Sequence, residues 1–200
     1  MNTNLTWEIK PLFPKSVFTA DNVIDQNEID EIKNTILGIL DKSGSKRNEL
    51  LCVDSTHRTN CCLHKEESLK PLIDVIVNSA QRYAFELGYR GKAISNIKVS
   101  SMWSNLSREG DSLSQHNHPN SFLSGAYYIE APPESKIVFF DTPFSMLPEP
   151  QTYNDLSYKN YYFECLPNRL LLFKSDLVHS TPPQPKGQKI VISFNVISTD

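Results

Sequence analysis

Two histidines one residue apart, His116 and His118, precede an apolar segment in the stretch SQHNHPNSFLSGAYYIE (residues 114–130). In an extended segment alternate side chains share a face, so both imidazoles point the same way and can bind one metal ion. The same alternation puts the small residues Ser124 and Ala126 and the larger Tyr128 on that face, which leaves room for a ligand beside the histidines. The chain has only five histidines, yet this spacing alone is also compatible with two surface histidines of no function.

A third histidine, His179, follows an apolar run and is itself followed ten residues later by Lys189. The segment that begins at Lys189 alternates between two different faces. One face is apolar (Ile190, Ile192, Phe194, Val196), and the other carries polar groups (Lys189, Val191, Ser193, Asn195, Ile197). A lysine on the inward face of a barrel strand is costly unless an ionic ligand is bound. The pattern therefore predicts an anion site, with Lys189 on the solvent face of an edge strand as the alternative.

Helical signals occupy the first part of the chain. Asp25 and Glu28 have the spacing of a capping box and open a helix that ends near Gly44. Its apolar stripe is Ile29, Ile32, Ile36 and Leu40. A second helix is predicted over residues 66–87, with a later start favoured by Pro71 and a stop at Gly88. The connection between the two helices has no regular pattern, and its histidines, His57 and His64, are interpreted as surface residues, although a loop at a barrel mouth can contact a substrate.

Strand-like alternation replaces the helical period from about residue 94. Six short strands are predicted, over residues 94–103, 121–130, 136–141, 161–166, 169–174 and 189–197. Short strands after two amphipathic helices predict an α+β, mainly β fold: a double-stranded β-helix (jelly-roll, cupin-like) barrel with the N-terminal helices packed on one side. We expect a single domain over residues 1–200, with a helical part (1–93) and a barrel core (94–200). Trp103 and the phenylalanines of IVFFD are expected in the core, and the proline-rich loop 141–160 is typical of a lid or binding loop.

The bulk composition excludes several classes of protein. A net charge of −3 argues against general nucleic-acid binding and against binding to anionic membranes, since both need a basic face. No apolar run reaches the ~18 residues of a membrane span, and the N-terminus lacks a signal-peptide layout. Four cysteines without a CxxC motif (Cys52, Cys61, Cys62, Cys165) indicate a reducing, cytoplasmic location.

Residues 98–197 resemble the 2-oxoglutarate- and Fe(II)-dependent oxygenases, most closely the small prolyl-hydroxylase-like proteins of phages and marine bacteria. The resemblance lies in the order of HxH, a Tyr-Tyr pair, a distal histidine, and then a cation and a serine. It implies an iron site made by His116, His118 and His179. It also implies that Lys189 binds the far carboxylate of 2-oxoglutarate, assisted by Ser193, Tyr128 and Asn105.

Two positions depart from the pattern of that family. His118 stands where the family has Asp or Glu, so the three ligands form a neutral set; Asp141, at the end of KIVFFD, is the alternative third ligand. Lys189 stands where the family usually has arginine, and lysine offers a point charge instead of a bidentate fork.

The resemblance implies an oxygenase that uses Fe(II), 2-oxoglutarate and O2, with ascorbate as reductant, to hydroxylate a C–H bond of a protein, peptide or small molecule. The cytoplasm would be that of a host cell if the protein is phage-encoded. Two alternatives stay open: a non-catalytic cupin-like binding module, and a three-histidine metal dioxygenase or isomerase that does not use 2-oxoglutarate. Neither alternative needs an inward-facing Lys189. The prime substrate is not indicated by the sequence.

Overall fold

Two antiparallel β-sheets face each other in the computed structural model, which describes residues 8–9, 14–42, 53–141, 150–154 and 157–199. The strands are β1 (Val17–Asp21), β2 (Asp54–Ser55), β3 (Ile97–Ser107), β4 (Leu113–His116), β5 (Leu123–Glu130), β6 (Lys136–Phe140), β7 (Asn160–Glu164), β8 (Arg169–Lys174), β9 (His179–Thr181) and β10 (Lys189–Ser198). The larger sheet has the order β1-β8-β5-β10-β3-β2 and the smaller one β4-β9-β6-β7. This arrangement confirms the predicted mainly β, double-stranded β-helix fold.

Helices α1 (Gln26–Lys42) and α2 (Lys70–Glu86) pack on the outer face of the larger sheet, and α3 (Lys92–Ser95) leads into β3. The capping box that opens α1 is confirmed: the Glu28 amide donates to Asp25 Oδ1 and the Asp25 amide donates to Glu28 Oε2, each at 2.9 Å. Short 3₁₀ turns (Leu63–Lys65, Glu67–Leu69) precede α2, so the helix starts later than residue 66, as expected from Pro71 near its N-terminus.

Strand β10 separates two apolar cores. Its face with Ile190, Ile192, Phe194 and Val196 packs with the helices, and Val191 on the opposite face packs between the two sheets. The two cores leave one end of the space between the sheets free for a cavity, into which the Lys189 face of β10 points. The predicted alternation of β10 is therefore confirmed.

A close approach of strands β5, β8 and β10 requires Gly125 at the centre of β5. A Cβ atom there would lie 2.3 Å from the Phe194 ring and 2.5 Å from the Leu171 carbonyl oxygen. Such separations are far inside van der Waals contact, so the Phe194 ring crosses β5 only because residue 125 has no side chain.

Several strand predictions were wrong in detail. Residue 94 lies in α3, and β5 begins at Leu123 instead of residue 121. The prediction of one extended segment from His116 to Tyr128 was wrong, because the chain turns at Asn120, whose φ is +68°. The first histidine instead ends its own short strand, β4, which had not been predicted; β2 and β9 had not been predicted either. The end of the first helix near Gly44 and most of the loop 141–160 lie outside the described residues.

Within the described part of the chain, no helix combines the length and the apolar character that crossing a lipid bilayer requires.

Candidate metal centre and its pocket

Three histidines from three segments converge in the cavity between the sheets. His116 ends β4 and His179 begins β9, and the two are register partners in the smaller sheet. His118 lies in the following loop, and its amide donates to the Ser175 carbonyl oxygen at 2.8 Å. The potential ligand atoms of the three side chains all lie within 4.8 Å of one another. Sheet pairing and one loop hydrogen bond therefore bring together residues that lie up to 63 positions apart in the sequence.

Hydrogen bonds leave the Nε2 atoms of two of these rings free to bind a metal. His116 Nδ1 lies 2.8 Å from the Ser114 carbonyl oxygen, and His179 Nδ1 lies 2.9 Å from the Leu177 carbonyl oxygen. Since a carbonyl oxygen only accepts, both Nδ1 atoms carry the proton and both Nε2 atoms present a lone pair. Such carbonyl partners commonly fix the tautomer of metal-binding histidines.

Burial keeps two of the three histidines neutral at physiological pH. Together with the neighbouring histidines, it lowers the pKa of His118 to about 3 and that of His179 to about 4. A neutral imidazole is the form that binds a metal. The protein therefore holds these side chains in the protonation state of ligands.

The separation of the rings fits a single transition-metal ion. His118 Nε2 and His179 Nε2 lie 3.4 Å apart, and two imidazoles bound to one ion at about 2.1 Å have nitrogens about 3.0–3.4 Å apart. The lone pair of His179 Nε2 faces His118 Nε2, an arrangement that a cation between them satisfies. The three residues present thus fit Fe(II) or Zn(II), although their role as ligands stays a prediction.

Aromatic side chains surround the three imidazoles. The Trp103 ring lies 5.7 Å from the His118 ring, and Phe173 and Phe139 lie 4.7 Å and 5.9 Å from the His179 ring. Trp103 is buried as predicted, but it lines the cavity as well as the core. His57 is exposed, as predicted, and also lines the mouth of the cavity against Trp103 at 4.7 Å. Sequence reasoning did not assign Trp103 a position at the site, and it gave a place at the barrel mouth only as the alternative for the loop of His57.

Lys189 is buried in the same cavity, with 2% of its surface exposed. Burial lowers the pKa of its ammonium group, and the nearby Cys165 thiol acts in the opposite direction. No carboxylate among the described residues forms an ion pair with it. The predicted inward lysine is therefore present, and its charge has no anionic side chain as partner.

Polar groups accompany Lys189 along the cavity wall. Asn105 Nδ2 donates to Ser193 Oγ at 3.3 Å, while the buried Asn105 Oδ1 has no hydrogen-bond partner. The buried Tyr128 hydroxyl is hydrogen-bonded to the Cys165 thiol, and burial raises the pKa of Tyr128 well above its usual value. All the side chains expected beside 2-oxoglutarate thus line one cavity. Cys165 is a neighbour that no sequence pattern indicated.

Asp141, the alternative third ligand, lies elsewhere. It is exposed at the end of β6 and pairs with Lys15 at 2.7 Å, and it is not among the residues that line the cavity. The alternative is therefore wrong: the strand ends one residue too early to turn this carboxylate inward. The cavity has a volume of about 350 Å³, and no Asp or Glu of the described residues lines it.

Residues 101–195, the strands that build this pocket, match the family model described as "Putative 2OG-Fe(II) oxygenase". Among curated proteins, no sequence matches the chain.

Solved structures of the same fold share little sequence with this chain. The α-ketoglutarate-dependent epimerase SnoN of nogalamycin biosynthesis superposes with a TM-score of 0.67 at 13% identity, over 92% of this chain and 79% of its own. A prolyl-4-hydroxylase from Pseudomonas putida gives 0.63 at 8% identity, over 93% and 94%. The viral collagen prolyl hydroxylase of Paramecium bursaria Chlorella virus-1, in its 2-oxoglutarate complex, gives 0.57 at 14% identity, over 92% and 96%. These likenesses establish the shared barrel fold.

Proposed function

We infer that this chain, whose barrel belongs to the Fe(II)- and 2-oxoglutarate-dependent oxygenases, is a hydroxylase with a three-histidine iron site. The observation that carries the proposal is the content of one cavity: three converging imidazoles and a buried lysine, with no acidic side chain among the described residues that line it. The three imidazoles lack a cation to bind, and the Lys189 ammonium lacks an anion. A metal ion supplies the first and a dicarboxylate the second.

His116, His118 and His179 are the residues that would hold the iron. When bound, Fe(II) and 2-oxoglutarate activate O2 and couple the conversion of 2-oxoglutarate to succinate and CO2 to the hydroxylation of a C–H bond. The carbonyl partners of His116 and His179 keep Nε2 directed into the cavity. The rings of Trp103, Phe139 and Phe173 limit the rotation of these imidazoles and keep bulk water from them.

Lys189 would bind the far carboxylate of 2-oxoglutarate. Its ammonium group is desolvated, so an anion gains more from it than from a lysine in water. Ser193 and the Tyr128 hydroxyl offer further hydrogen bonds on the same wall. The side-chain amide of Asn105 lies on the same wall. Its oxygen has no hydrogen-bond partner, so it needs either a donor from a bound molecule or a flip of the amide. We propose these four residues as the co-substrate site.

The prime substrate would approach past His57 and Trp103 at the cavity mouth. Because no Asp or Glu in the described part of the chain lines the cavity, an ammonium or guanidinium group on the substrate would find no counter-charge from these residues. We therefore propose a neutral or anionic group next to the reacting carbon. The structural neighbours include enzymes named as prolyl hydroxylases and an epimerase, and the prolyl hydroxylases favour a peptide or protein C–H bond as the target.

We place the protein in the cytoplasm, or in the host cytoplasm if a phage encodes it. Cys61, Cys62 and Cys165 are free thiols in the structure, and unpaired thiols of this kind persist in a reducing compartment.

Succinate formation from 2-oxoglutarate, measured with Fe(II), O2 and ascorbate, tests the function. We expect slow turnover in the absence of the prime substrate, and its loss in the His179→Ala variant. The His64→Ala variant, at a partly buried histidine that does not line the cavity, is the matched control and should keep the activity. A protein that binds Fe(II) but neither binds nor consumes 2-oxoglutarate would instead be a three-histidine metalloenzyme or binding module of the cupin type.

A further inference from the structure

Four exposed tyrosines form one continuous surface beside the smaller sheet. Tyr153, Tyr158, Tyr161 and Tyr162, which we call the tyrosine surface, are 44–57% exposed. They are half of the eight tyrosines in the chain. Successive rings lie 6.1–6.4 Å apart, which is within the range of aromatic pairs. Tyrosine is enriched at the energetic centres of protein interfaces, so this surface has the composition of a contact site.

The tyrosine surface includes the open edge of a sheet. Among the strands of the described residues, β7 is the last one of the smaller sheet and pairs only with β6. At its two ends, the Cys165 amide donates to the Ser135 carbonyl oxygen and the Asp141 amide donates to the Lys159 carbonyl oxygen, each at 2.8 Å. In an antiparallel pair the residues alternate in the direction of their backbone groups. The odd-numbered residues of β7 therefore turn their amides and carbonyls to β6.

The even-numbered residues Asn160, Tyr162 and Glu164 turn their backbone groups to the open side. The Glu164 carbonyl oxygen accepts one hydrogen bond from Arg169 Nη1 at 3.2 Å, and a carbonyl oxygen has a second lone pair. The edge thus offers three amides and three carbonyls to a further strand.

This edge has few of the features that usually prevent pairing: Glu164 is charged and Lys136 Nζ lies 4.4 Å from the centre of the Tyr162 ring, but the strand has no proline and no bulge. Natural edge strands are protected by shortness, proline, charged side chains or bulges. The edge strand β2 has only two residues, and the register of β4 is interrupted between Leu113 and His116. Strand β7 has the sequence NYYFE and pairs with β6 in an unbroken register over five residues. An exposed aromatic edge of this kind indicates a surface that is covered by another strand.

We propose that the covering strand is β7 of a second copy of this chain, paired antiparallel across a twofold axis at Tyr162. The strand is its own complement in this register: Tyr162 lies opposite its counterpart, Tyr161 opposite Phe163, and Asn160 opposite Glu164. No like charges are opposed, and aromatic side chains face each other across strands, which stabilises sheets. A twofold axis makes the contact isologous and closed, as in most homodimers.

The pairing joins the two smaller sheets into one sheet of order β4-β9-β6-β7-β7-β6-β9-β4. The metal-site histidines lie on β4, β9 and the adjoining loop, away from the shared edge. The pairing therefore does not depend on the iron site, and the failure of one proposal leaves the other intact.

Sedimentation equilibrium of the full chain over about 1–100 μM, where mass action moves a dimer equilibrium, tests the pairing. Tyr162→Glu and Tyr162→Lys each put a charge directly opposite its own copy, so each variant alone should be monomeric. A one-to-one mixture opposes a carboxylate to an ammonium and should form a heterodimer. Tyr89→Glu, at an exposed tyrosine that follows α2, is the matched control and should sediment like the parent.

Three results would overturn the proposal: a parent chain that is monomeric throughout this range, single Tyr162 variants that still dimerise, or a mixture that stays monomeric. Circular dichroism and metal content, measured on every variant, identify a misfolded protein. If a charged Tyr162 variant is misfolded, Tyr162→Phe is measured instead. It keeps the aromatic ring and should dimerise like the parent.

Discussion

At the scale of single residues, His118 sets the charge of the metal site. Three neutral imidazoles around a divalent ion leave its full charge uncompensated, and among the described residues no Asp or Glu lines the cavity.

We expect His118→Asp to retain or increase the affinity for Fe(II), because the carboxylate adds a negative charge next to the ion. Titration with Fe(II) under anaerobic conditions, or with Mn(II) by electron paramagnetic resonance, measures this directly. Zn(II) should compete best against the parent protein, since three imidazoles suit it well. Loss of metal from a folded His118→Asp protein would show that the pocket is shaped for imidazole.

Lys189 provides the second prediction at this scale. Lys189→Met should weaken 2-oxoglutarate binding by about 2–5 kcal/mol, the range for removing one partner of a buried charge pair. Metal affinity should stay nearly unchanged, because the three histidines lie on other segments. Calorimetric titration of 2-oxoglutarate into the Mn(II)-loaded protein measures the first, and titration of Mn(II) into the metal-free protein measures the second.

Lys189→Arg separates shape from charge, since it keeps the charge and should retain part of the binding. Lys174→Met, which removes an exposed lysine of β8, is the matched control. If Lys189→Met binds 2-oxoglutarate as well as the parent does, the assignment of the co-substrate site is wrong.

The residues of the site differ in how far the sequence predicted them. The HxH spacing and the alternation of β10 are local, so the sequence itself indicated His116, His118 and Lys189, whereas the family resemblance added His179. Trp103 and His57 reach the cavity through tertiary packing, which also brings Cys165 next to Tyr128 and Lys189. Trp103 lies on a strand whose neighbouring residues are also buried. The alternation along this strand therefore does not distinguish a core residue from a residue that lines the cavity.

At the scale of elements, long strands and helices were predicted because each carries its own periodic pattern. Strands β4 and β9 were not, because they have only four and three residues and are mostly polar. What makes them strands is their pairing, which sets His116 opposite His179. The site was thus predicted more accurately than the elements that hold it.

Strand β1 is attached to β8 by an ion pair that gives a pH-dependent prediction. Arg169 donates from Nη2 to Asp21 Oδ2 at 2.8 Å, and this hydrogen bonding holds the pKa of Asp21 below its ordinary value. A carboxyl group whose pKa is lowered in the folded state stabilises the fold above its unfolded pKa, and this contribution is lost as the pH falls through the folded pKa.

Asp21→Asn should therefore lower the free energy of unfolding at pH 7 by about 0.5–1 kcal/mol, a modest value because the Asp21 side chain is half exposed. The difference from the parent should shrink as the pH falls from about 5 through the folded pKa. Urea unfolding at a series of pH values measures this. Glu31→Gln, an exposed residue on α1, is the control, and a difference between Asp21→Asn and the parent that does not change with pH would contradict the assigned cause.

At the scale of the whole molecule, the two sheets are joined differently at the two ends of the barrel. Behind the cavity wall they share an apolar core that includes Leu171 and Leu177, which do not line the cavity. At the cavity the protein itself contributes neutral imidazoles and one unpaired ammonium group. A metal ion bound there would connect β4, β9 and the loop between β4 and β5, and a dicarboxylate would connect the metal to β10. Both ligands should therefore stabilise the fold as a whole.

Thermal unfolding measures this stabilisation. A ligand present at a hundred times its dissociation constant stabilises the folded state by about 2.7 kcal/mol, which corresponds to a rise of roughly 5–10 °C for a chain of this size. We expect Mn(II) alone to raise the unfolding midpoint, and 2-oxoglutarate added to the Mn(II) protein to raise it again. In Lys189→Met the first rise should remain and the second should nearly disappear, whereas in His179→Ala both should be lost. Succinate, which lacks the oxo group that chelates the metal, controls for general effects of a dicarboxylate. An equal second rise in the parent and in Lys189→Met would place the co-substrate elsewhere in the cavity.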